Sequence, residues 1–239
     1  MNTIIFDLDG TLLPMDLHKF IELYNIAIGE SFADLADPEV MVKGLWSATK
    51  HTIVSNDLKP NIETFFEDFS KRVPGKEEDF INRFEHFYEN GFSKVQESTS
   101  VSPEIVKAIR ILKEKGYRLI IATNPMFPLR ANHIRIGWAG LDVNDFDYIS
   151  NFELNTLCKP KLEFYQQVID HNNLDIKKSL MVGNDVQEDL VVTNLGMKTY
   201  LINECLINRG GDYFTDYESD YSGFLEFVNN LGNASKITI

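Results

Sequence analysis

Short, continuous apolar runs recur along the chain, and their spacing constrains the fold more than any other feature. The clearest runs cover residues 3–8, 118–123, 179–183 and 199–202, and a weaker run covers residues 147–150. Continuous apolar runs, unlike alternating ones, are typical of strands in a parallel sheet that is covered by helices on both faces. We therefore predict that these runs form a buried parallel sheet.

Helical patterns lie between these runs after residue 100. Ser102 and Pro103 favour a helix N-cap and first helical position, and Gly116 favours the end of the same helix. The pattern predicts a second helix that begins at Pro160 and a third over residues 186–195. Alternating strands and helices predict an α/β fold with a Rossmann-like, doubly wound parallel sheet.

Residues 16–97 break this alternation, because their apolar residues recur only at helical spacing. Breaks at Pro38, Pro60 and Pro74 divide the stretch into about four helices. Its many aromatic residues could line a ligand pocket, but we interpret them as the packed core of an all-α segment.

This helical segment divides the expected α/β core into two parts of the sequence. We predict a core domain formed by residues 1–15 and 98–239, with an inserted all-α cap domain formed by residues 16–97. The linkers near Pro14 and at residues 98–102 are the expected hinges. A domain inserted directly after the first strand is a candidate lid over the sheet.

The balance of charges excludes some classes of partner. The chain has 23 Lys and Arg residues against 36 Asp and Glu residues, a formal net charge of −13. Such a surface repels nucleic acid and anionic membranes, so we expect neither as a partner.

Only two cysteines occur, and we find neither a secretory signal nor an apolar run of about 18 residues. We therefore expect a cytoplasmic protein with reduced thiols.

Polar residues follow the predicted strands, at the edge where parallel α/β sheets place their chemistry. Carboxylates, amides, a hydroxyl and a lysine gather there: Asp7, Asp9, Thr123, Asn124, Lys159, Asn184, Asp185 and Asp189. Carboxylates this close together raise one another's pKa unless a cation offsets their charge. Mg²⁺ fits this set, since it is typically held by a few carboxylates, water and substrate phosphate.

Four short motifs occur in order along the chain: DLDGTLL at residues 7–13, Thr123 after a buried strand, Lys159-Pro160, and GNDVQED at residues 183–189. In this order the chain resembles the phosphatases of the haloacid dehalogenase (HAD) superfamily, and its helical insert resembles their C1-type cap. The resemblance extends over roughly residues 2–203. It implies an α/β core with a cap, Mg²⁺ as cofactor and a small phosphorylated metabolite as substrate.

The resemblance also implies a role for each motif. Asp7 would be the nucleophile that forms an aspartyl-phosphate, and Asp9 would protonate the leaving oxygen and then deprotonate the attacking water. Lys159 would neutralise charge on the transferring phosphoryl group, and Thr123 would donate a hydrogen bond to a phosphate oxygen. Mg²⁺ would be held by the Asp7 carboxylate, the Asp9 backbone carbonyl and the Asp185 carboxylate.

Two of these assignments stay open from sequence. Family members commonly have Asp after the glycine of the fourth motif, where this chain has Asn184, so Asn184 and Asp189 are alternative or supporting metal residues beside Asp185. We expect Asp189 to act indirectly. Asn124 either contacts phosphate or satisfies the turn before Pro125.

Several other residues have two interpretations. Thr11 either supports Asp7 or caps the turn. Lys161 is the alternative to Lys159 as the lysine of the site, but we interpret it as an exposed lysine in the first turn of a helix. The chain after Asn203 matches no motif, although residues 224–231 favour a last helix. Basic residues of the helical segment that could reach a leaving group are interpreted as solvated: His18, Lys43, Lys50 and Arg72.

Other activities compete with the phosphatase hypothesis. A phosphonatase of this superfamily would use a cap lysine as a Schiff base, for which Lys43 and Lys50 are candidates, and a phosphomutase would share the core residues. Dehalogenation needs no leaving-group acid, so Asp9 argues against it. A catalytically idle regulatory or binding module is disfavoured by the intact motif residues. Dinucleotide binding is disfavoured because no GxGxxG follows the first strand.

Overall fold

The computed structural model of the chain describes residues 1–234. Within that range six parallel strands form one sheet in the order β3-β2-β1-β4-β5-β6. The strands are β1 (Thr3–Phe6), β2 (Arg118–Ile121), β3 (Tyr148–Ile149), β4 (Ser179–Gly183), β5 (Lys198–Ile202) and β6 (Tyr217–Ser219). The first four lie in predicted apolar runs, and β5 begins one residue before the predicted run 199–202. The sequence did not predict β6, because this short edge strand is polar and mostly exposed.

Alternate residues of the central strands face two different cores. Ile4 and Phe6 of β1 pack into the larger core, whereas Ile5 packs into the smaller one. Such alternation places helices on both faces of the sheet, which confirms the predicted doubly wound fold. The order of the strands reverses between β1 and β4, where α/β sheets typically bind ligands.

Between β1 and α5 (Pro103–Glu114) the regular elements of the described chain are all helices, as the sequence predicts. This helical segment contains α1 (Leu17–Ser31), α2 (Pro38–Val54), α3 (Asn61–Arg72), α4 (Glu77–Asn90) and a 3-10 helix (Phe92–Ser98). Its two linkers bond to each other, since the Asp16 amide donates to the Ser98 carbonyl (2.9 Å) and the Ser100 amide to the Pro14 carbonyl (3.0 Å). The domain boundaries stay a prediction, and their last residues, 235–239, lie outside the described residues.

The remaining helices are α5 (Pro103–Glu114), α6 (Leu129–Trp138), α7 (Leu162–Asn172), α8 (Val186–Asp189) and α9 (Tyr221–Asn230). The α5 prediction is confirmed, because the Ser102 hydroxyl accepts the Ile105 amide (3.2 Å) and Gly116 closes the helix with φ +79°. The predicted last helix corresponds to α9. Across residues 1–234, no helix combines the length and the apolarity that crossing a membrane requires.

Two helical predictions differ from the structure, and one helix of the described chain was not predicted. The helix expected from Pro160 begins at Leu162, because residues 158–161 form a turn in which the Lys161 amide donates to the Cys158 carbonyl (3.1 Å). The helix expected over residues 186–195 is α-helical only in α8 and continues as a 3-10 helix to Leu195. Helix α6 was not predicted, because polar side chains interrupt its buried face.

Candidate active site

Asp7 is the first residue beyond β1, and its backbone is held by the neighbouring strand. The Asp7 amide donates to the Val182 carbonyl of β4 (2.9 Å), so the carboxylate lies beside the reversal of strand order. The side chain is only 11 % exposed. The parallel strands on either side of β1 therefore fix Asp7 at the sheet edge that was predicted to carry the chemistry.

Lys159 lies between two carboxylates in the protein interior. Its Nζ is 2.7 Å from Asp7 Oδ1 and 2.6 Å from Asp189 Oδ1, and the lysine is 1 % exposed. Burial opposes the charged form of Lys159, but Asp189 and Asp7 outweigh it and hold the pKa well above its ordinary value. Burial raises the pKa of Asp7 to about 8, although Lys159 lowers it. Two carboxylates thus share one ammonium, and further positive charge would be favourable here.

Asp9 is held by an arginine that the sequence did not single out. Arg135 of α6 is fully buried, and its guanidinium forms an ion pair with Asp9 Oδ2. The same guanidinium donates to Asn132 Oδ1 and lies 4.2 Å from the centre of the Phe127 ring. Asp9 Oδ1 is buried and has no hydrogen-bond partner within residues 1–234. One carboxylate oxygen is therefore fixed and the other is available.

Thr123 and Asn124 follow β2 at the same edge. The Thr123 carbonyl accepts the Ser150 hydroxyl (2.6 Å), which fixes the backbone, whereas the Thr123 hydroxyl has no partner in the described chain. Asn124 Nδ2 donates weakly to Glu188 Oε2 (3.4 Å). Asn124 Oδ1 is buried and has no partner among the described residues. Both side chains therefore retain polar atoms that a ligand can use.

Gly10 and Thr11 join the first motif to the fourth. Gly10 has φ +87°, and a Cβ at this position would lie 2.3 Å from Asn184 Nδ2. The Thr11 hydroxyl donates to Asn184 Oδ1 (2.9 Å), and Asn184 Nδ2 donates to the Cys205 carbonyl (2.7 Å). Thr11 thus contacts Asn184, and both polar groups of the Asn184 side chain are occupied.

The two aspartates of the fourth motif differ in their bonding. Asp189 is fully buried, with Oδ1 on Lys159 and with Oδ2 accepting the amides of Asn184 (3.1 Å) and Asp185 (3.0 Å). Both of its oxygens are therefore used within the protein. Asp185 Oδ1 caps α8 and accepts Arg209 Nη1 (2.8 Å), whereas Asp185 Oδ2 has no partner within residues 1–234. Of the two, only Asp185 offers a free carboxylate oxygen.

The interpretation of Lys161 as an exposed lysine was wrong. Lys161 is half-buried, and its Nζ donates to the Ile53 carbonyl (2.9 Å) and to the Ser55 carbonyl at the end of α2. A helix C-terminus attracts a cation because its last carbonyls have no helical partners. Lys161 therefore fastens the helical segment to the α/β core. The four basic residues interpreted as solvated are exposed, as expected.

Comparison with known proteins places this chain in a family. The family model of haloacid dehalogenase-like hydrolases matches residues 1–191. The chain belongs to this family.

Relatives of this HAD-like hydrolase match it over nearly their whole length. The pyrophosphatase PpaX of Halalkalibacterium halodurans is 24% identical and covers 92% of this chain and 91% of its own, and PpaX of Bacillus cereus is 22% identical with 98% and 99% covered. A HAD phosphatase from Thermococcus onnurineus superposes with a TM-score of 0.63 at 20% identity, covering 98% of this chain and 100% of its own. A 2-haloacid dehalogenase from Pseudomonas syringae pv. Tomato DC3000 gives a TM-score of 0.63 at 18% identity, with 96% and 98% covered. The two structures share the fold.

The oxygen atoms at the sheet edge fit a hard divalent ion. Asp7 Oδ2, the Asp9 carbonyl and Asp185 Oδ2 accept no hydrogen bond from residues 1–234. The described residues contain no cluster of three or more His, Cys, Asp or Glu side chains that could hold a metal ion. A metal here would need a backbone carbonyl, water or substrate oxygen as well, which is typical of Mg²⁺.

A cavity of about 600 Å³ opens from this edge into the helical segment. Asp9, Thr123 and Asn124 line one end, and residues of α1 to α4 line most of the remainder. The aromatic residues of the helical segment form a packed core, as predicted, but several also line this cavity: Phe20, Tyr24, Phe65, Phe66, Phe84 and Tyr88. The interpretation of these residues as core alone was therefore incomplete.

Proposed function

We propose that this HAD-like hydrolase is a Mg²⁺-dependent phosphatase that cleaves a small phosphorylated metabolite through an aspartyl-phosphate. The observation that carries the proposal is the buried contact between Lys159 and Asp7, 2.7 Å long, where the strand order reverses. A nucleophilic carboxylate beside a fixed ammonium is suited to attack on an anionic phosphoryl group. Asp9 lines the cavity, and its Oδ1 has no hydrogen-bond partner within residues 1–234, which supports the proposal.

In this proposal the residues of the site divide the steps of the reaction between them. Asp7 attacks phosphorus through a carboxylate oxygen, while Lys159 offsets the charge on the phosphoryl group and the Thr123 hydroxyl donates to a phosphate oxygen. Asp9 Oδ1 gives a proton to the leaving oxygen and then takes one from the water that hydrolyses the aspartyl-phosphate. Arg135 holds Asp9 through Oδ2 and so leaves Oδ1 for proton transfer.

The oxygens without a hydrogen-bond partner support one choice of metal residues in the same proposal. Asp7, the Asp9 carbonyl and Asp185 would hold Mg²⁺, while Asn184 and Asp189 would act through the contacts that fix this loop. When bound, Mg²⁺ supplies positive charge that reduces the repulsion between the Asp7 carboxylate and the substrate phosphate. Asn124 would bind phosphate through its amide.

Phosphate release over a panel of phosphomonoesters, with Mg²⁺ and with EDTA, tests this function. We expect release that requires Mg²⁺ and falls at least about 10³-fold in Asp7→Asn, because the nucleophile is removed. Release that survives Asp7→Asn, or that EDTA does not affect, would exclude the mechanism. No release from any ester would favour an idle binding module, and transfer of phosphate between two positions of a sugar would indicate a phosphomutase.

A phosphonatase is less compatible with the cavity. Its Schiff base needs a lysine beside the carbonyl carbon of the substrate, but no lysine lines the cavity in the part of the chain that the structure describes. Lys43 and Lys50 are both exposed and outside the lining. Turnover of a phosphonate that is lost in Lys43→Arg or Lys50→Arg would support the phosphonatase instead.

A further inference from the structure

The cavity beside the candidate site has mostly apolar walls. Phenylalanine, isoleucine, leucine, tryptophan and tyrosine side chains from the four helices face the space, and Met126, Phe127 and Phe152 complete it from the α/β core. The volume of about 600 Å³ is in the range that holds a drug-sized molecule. A leaving group bound here would lie mainly against rings and aliphatic chains.

The polar atoms of these walls are largely occupied. The hydroxyls of Tyr24 and Tyr88 bond to each other (3.0 Å), and Trp46 Nε1 donates to Asn25 Oδ1 (2.7 Å). Among the described residues of α1 to α4, Thr49 lines the cavity and its hydroxyl has no hydrogen-bond partner. A sugar or polyol would lose its hydrogen bonds to water here and recover few of them, which costs binding energy.

The charged residues of the lining do not favour an anionic leaving group. Asp9, Glu85, Glu89 and Glu153 are acidic, and the single base among the described lining residues, Arg130, forms an ion pair with Glu89. A second phosphate in this cavity would therefore meet more negative than positive charge. The three glutamates and Arg130 are exposed, so Asp9 at the sheet edge is the one charged residue of the described lining that is not exposed.

We propose that the substrate is a phosphate monoester of an uncharged, apolar alcohol whose alkyl or aryl body is small enough to fit the cavity. This inference rests on the proposed phosphatase function and names the substrate class of the same site. The phosphate would lie at Asp7 and Lys159, and the apolar body would fill the cavity between the helices. Pyrophosphate, which the name of the PpaX relatives denotes, is the opposite kind of substrate.

A series of n-alkyl phosphates from ethyl to octyl tests the substrate class, because its members differ in apolar length while their leaving groups have nearly the same pKa. We expect kcat/KM to rise about three- to fourfold per added methylene until the cavity is filled. Pyrophosphate and glycerol 3-phosphate should be poorer substrates than octyl phosphate. A flat or falling series, or a preference for either anionic or polyol substrate, would overturn the inference and leave the phosphatase intact.

A matched pair separates an apolar from a cationic leaving group. Phosphocholine and 3,3-dimethylbutyl phosphate have nearly the same shape, and only phosphocholine carries a positive charge. We expect the neutral ester to be cleaved at least as efficiently. A tenfold or greater preference for phosphocholine would overturn the uncharged assignment in favour of recognition by Glu85 and the rings.

Binding of alkylphosphonates tests the inference without turnover, because a carbon replaces the bridging oxygen and the compounds are not hydrolysed. Calorimetry with the Mg²⁺-loaded protein should give Kd values that fall with chain length, and Kd values independent of length would overturn the inference. If binding shows the length dependence but no ester releases phosphate, the proposed function fails and the apolar site stands.

A lysine placed in the wall provides a matched variant. Thr49→Lys adds a cation and fills volume, so it should flatten the dependence of kcat/KM on chain length. Val54→Lys changes the same helix at a position that is 62% exposed and outside the lining, and it should keep the wild-type slope. If Thr49→Lys and Val54→Lys both unfold normally and both keep the wild-type dependence of kcat/KM on chain length, this wall does not contact the leaving group and the assignment is contradicted.

Discussion

Arg135 forms a buried ion pair with Asp9, although the two residues are 126 positions apart in the chain. The guanidinium also packs on the Phe127 ring and donates to Asn132 Oδ1, and both contacts favour its orientation toward the carboxylate. Asp9 is therefore held by a charged group that does not line the cavity. This contact makes Arg135 a positioning residue for the proposed acid and base.

We expect Arg135→Met to slow cleavage of alkyl phosphates about 10²-fold in kcat, since a misplaced general acid no longer protonates a poor leaving group. Cleavage of an aryl phosphate with a good leaving group should fall less, because that step needs little protonation. Initial rates of phosphate release from both substrates give the two losses in kcat. An equal loss on both would indicate a purely structural role, and Arg135→Lys should recover part of the alkyl activity.

Lys159→Met should remove activity and stability together. Without the ammonium, Asp7 and Asp189 face each other in the interior, and breaking such a buried pair costs about 3–5 kcal/mol in free energy of unfolding. Lys161→Met is the control, since it removes a half-buried lysine outside the proposed site and should cost about 1 kcal/mol. Urea unfolding measures the loss of stability in each variant, and phosphate release measures the loss of activity. Similar losses in the two variants would argue against a special role for Lys159.

Mg²⁺ affinity should depend on pH through Asp7. Burial raises the pKa of Asp7 to about 8, so below that pH the metal-free protein holds a proton that Mg²⁺ must displace. The apparent Kd for Mg²⁺ should fall as the pH rises from 6 to about 8 and then level off. Calorimetry across this range measures it. Asp7→Asn should bind Mg²⁺ more weakly and without this dependence, and a wild-type Kd that does not change with pH would contradict the assignment.

Arg209 should compete with Mg²⁺ for Asp185. Its guanidinium is 2.8 Å from Asp185 Oδ1 and 3.6 Å from Glu188 Oε1, yet the side chain is 54% exposed. Removing a competing cation leaves more negative charge for the metal, so Arg209→Gln should lower the Kd for Mg²⁺ about two- to fivefold. A higher Kd in this variant would mean that Arg209 helps to order Asp185 rather than compete for it.

Two glycines offer a matched test of how the first and fourth motifs are joined. Gly10 and Gly116 both have positive φ, but a Cβ at Gly10 would meet Asn184 whereas one at Gly116 meets nothing within 4 Å. Each alanine substitution should cost about 1 kcal/mol of free energy of unfolding from backbone strain. Gly10→Ala should cost more and also weaken Mg²⁺ binding. Equal losses of stability and equal Mg²⁺ affinities in the two variants would show that the contact with Asn184 contributes nothing.

The sequence predicted the parts of the structure that local patterns determine. Apolar runs marked β1 to β5, and the polar residues at their ends meet at one edge because parallel strands end together. The edge strand β6 and helix α6 were missed, since β6 is polar and the buried face of α6 contains Asn132 and Arg135. The only sequence signal for Arg135 was a charged residue among apolar ones, and its partner is distant in the chain.

The sequence did not predict the cavity either. Aromatic residues at helical spacing pack into a core or line a cavity with the same periodicity, so the pattern does not separate the two outcomes. Phe84 is a member of both the core and the lining. The arrangement of four helices over the sheet edge decides which rings face open space, and that arrangement depends on contacts such as Lys161 with the end of α2.

The most direct test of the account is the detection of the covalent intermediate. Asp9→Asn keeps the nucleophile and removes the base for the second step, so an acid-quenched reaction with Mg²⁺ and an activated aryl phosphate should accumulate a phosphoryl group. Peptide mass spectrometry should locate that group on Asp7, and Asp7→Asn should give none. Phosphate release by the wild type with no phosphoryl group on Asp7 in any quenched sample, or a phosphoryl group on another residue, would contradict the account.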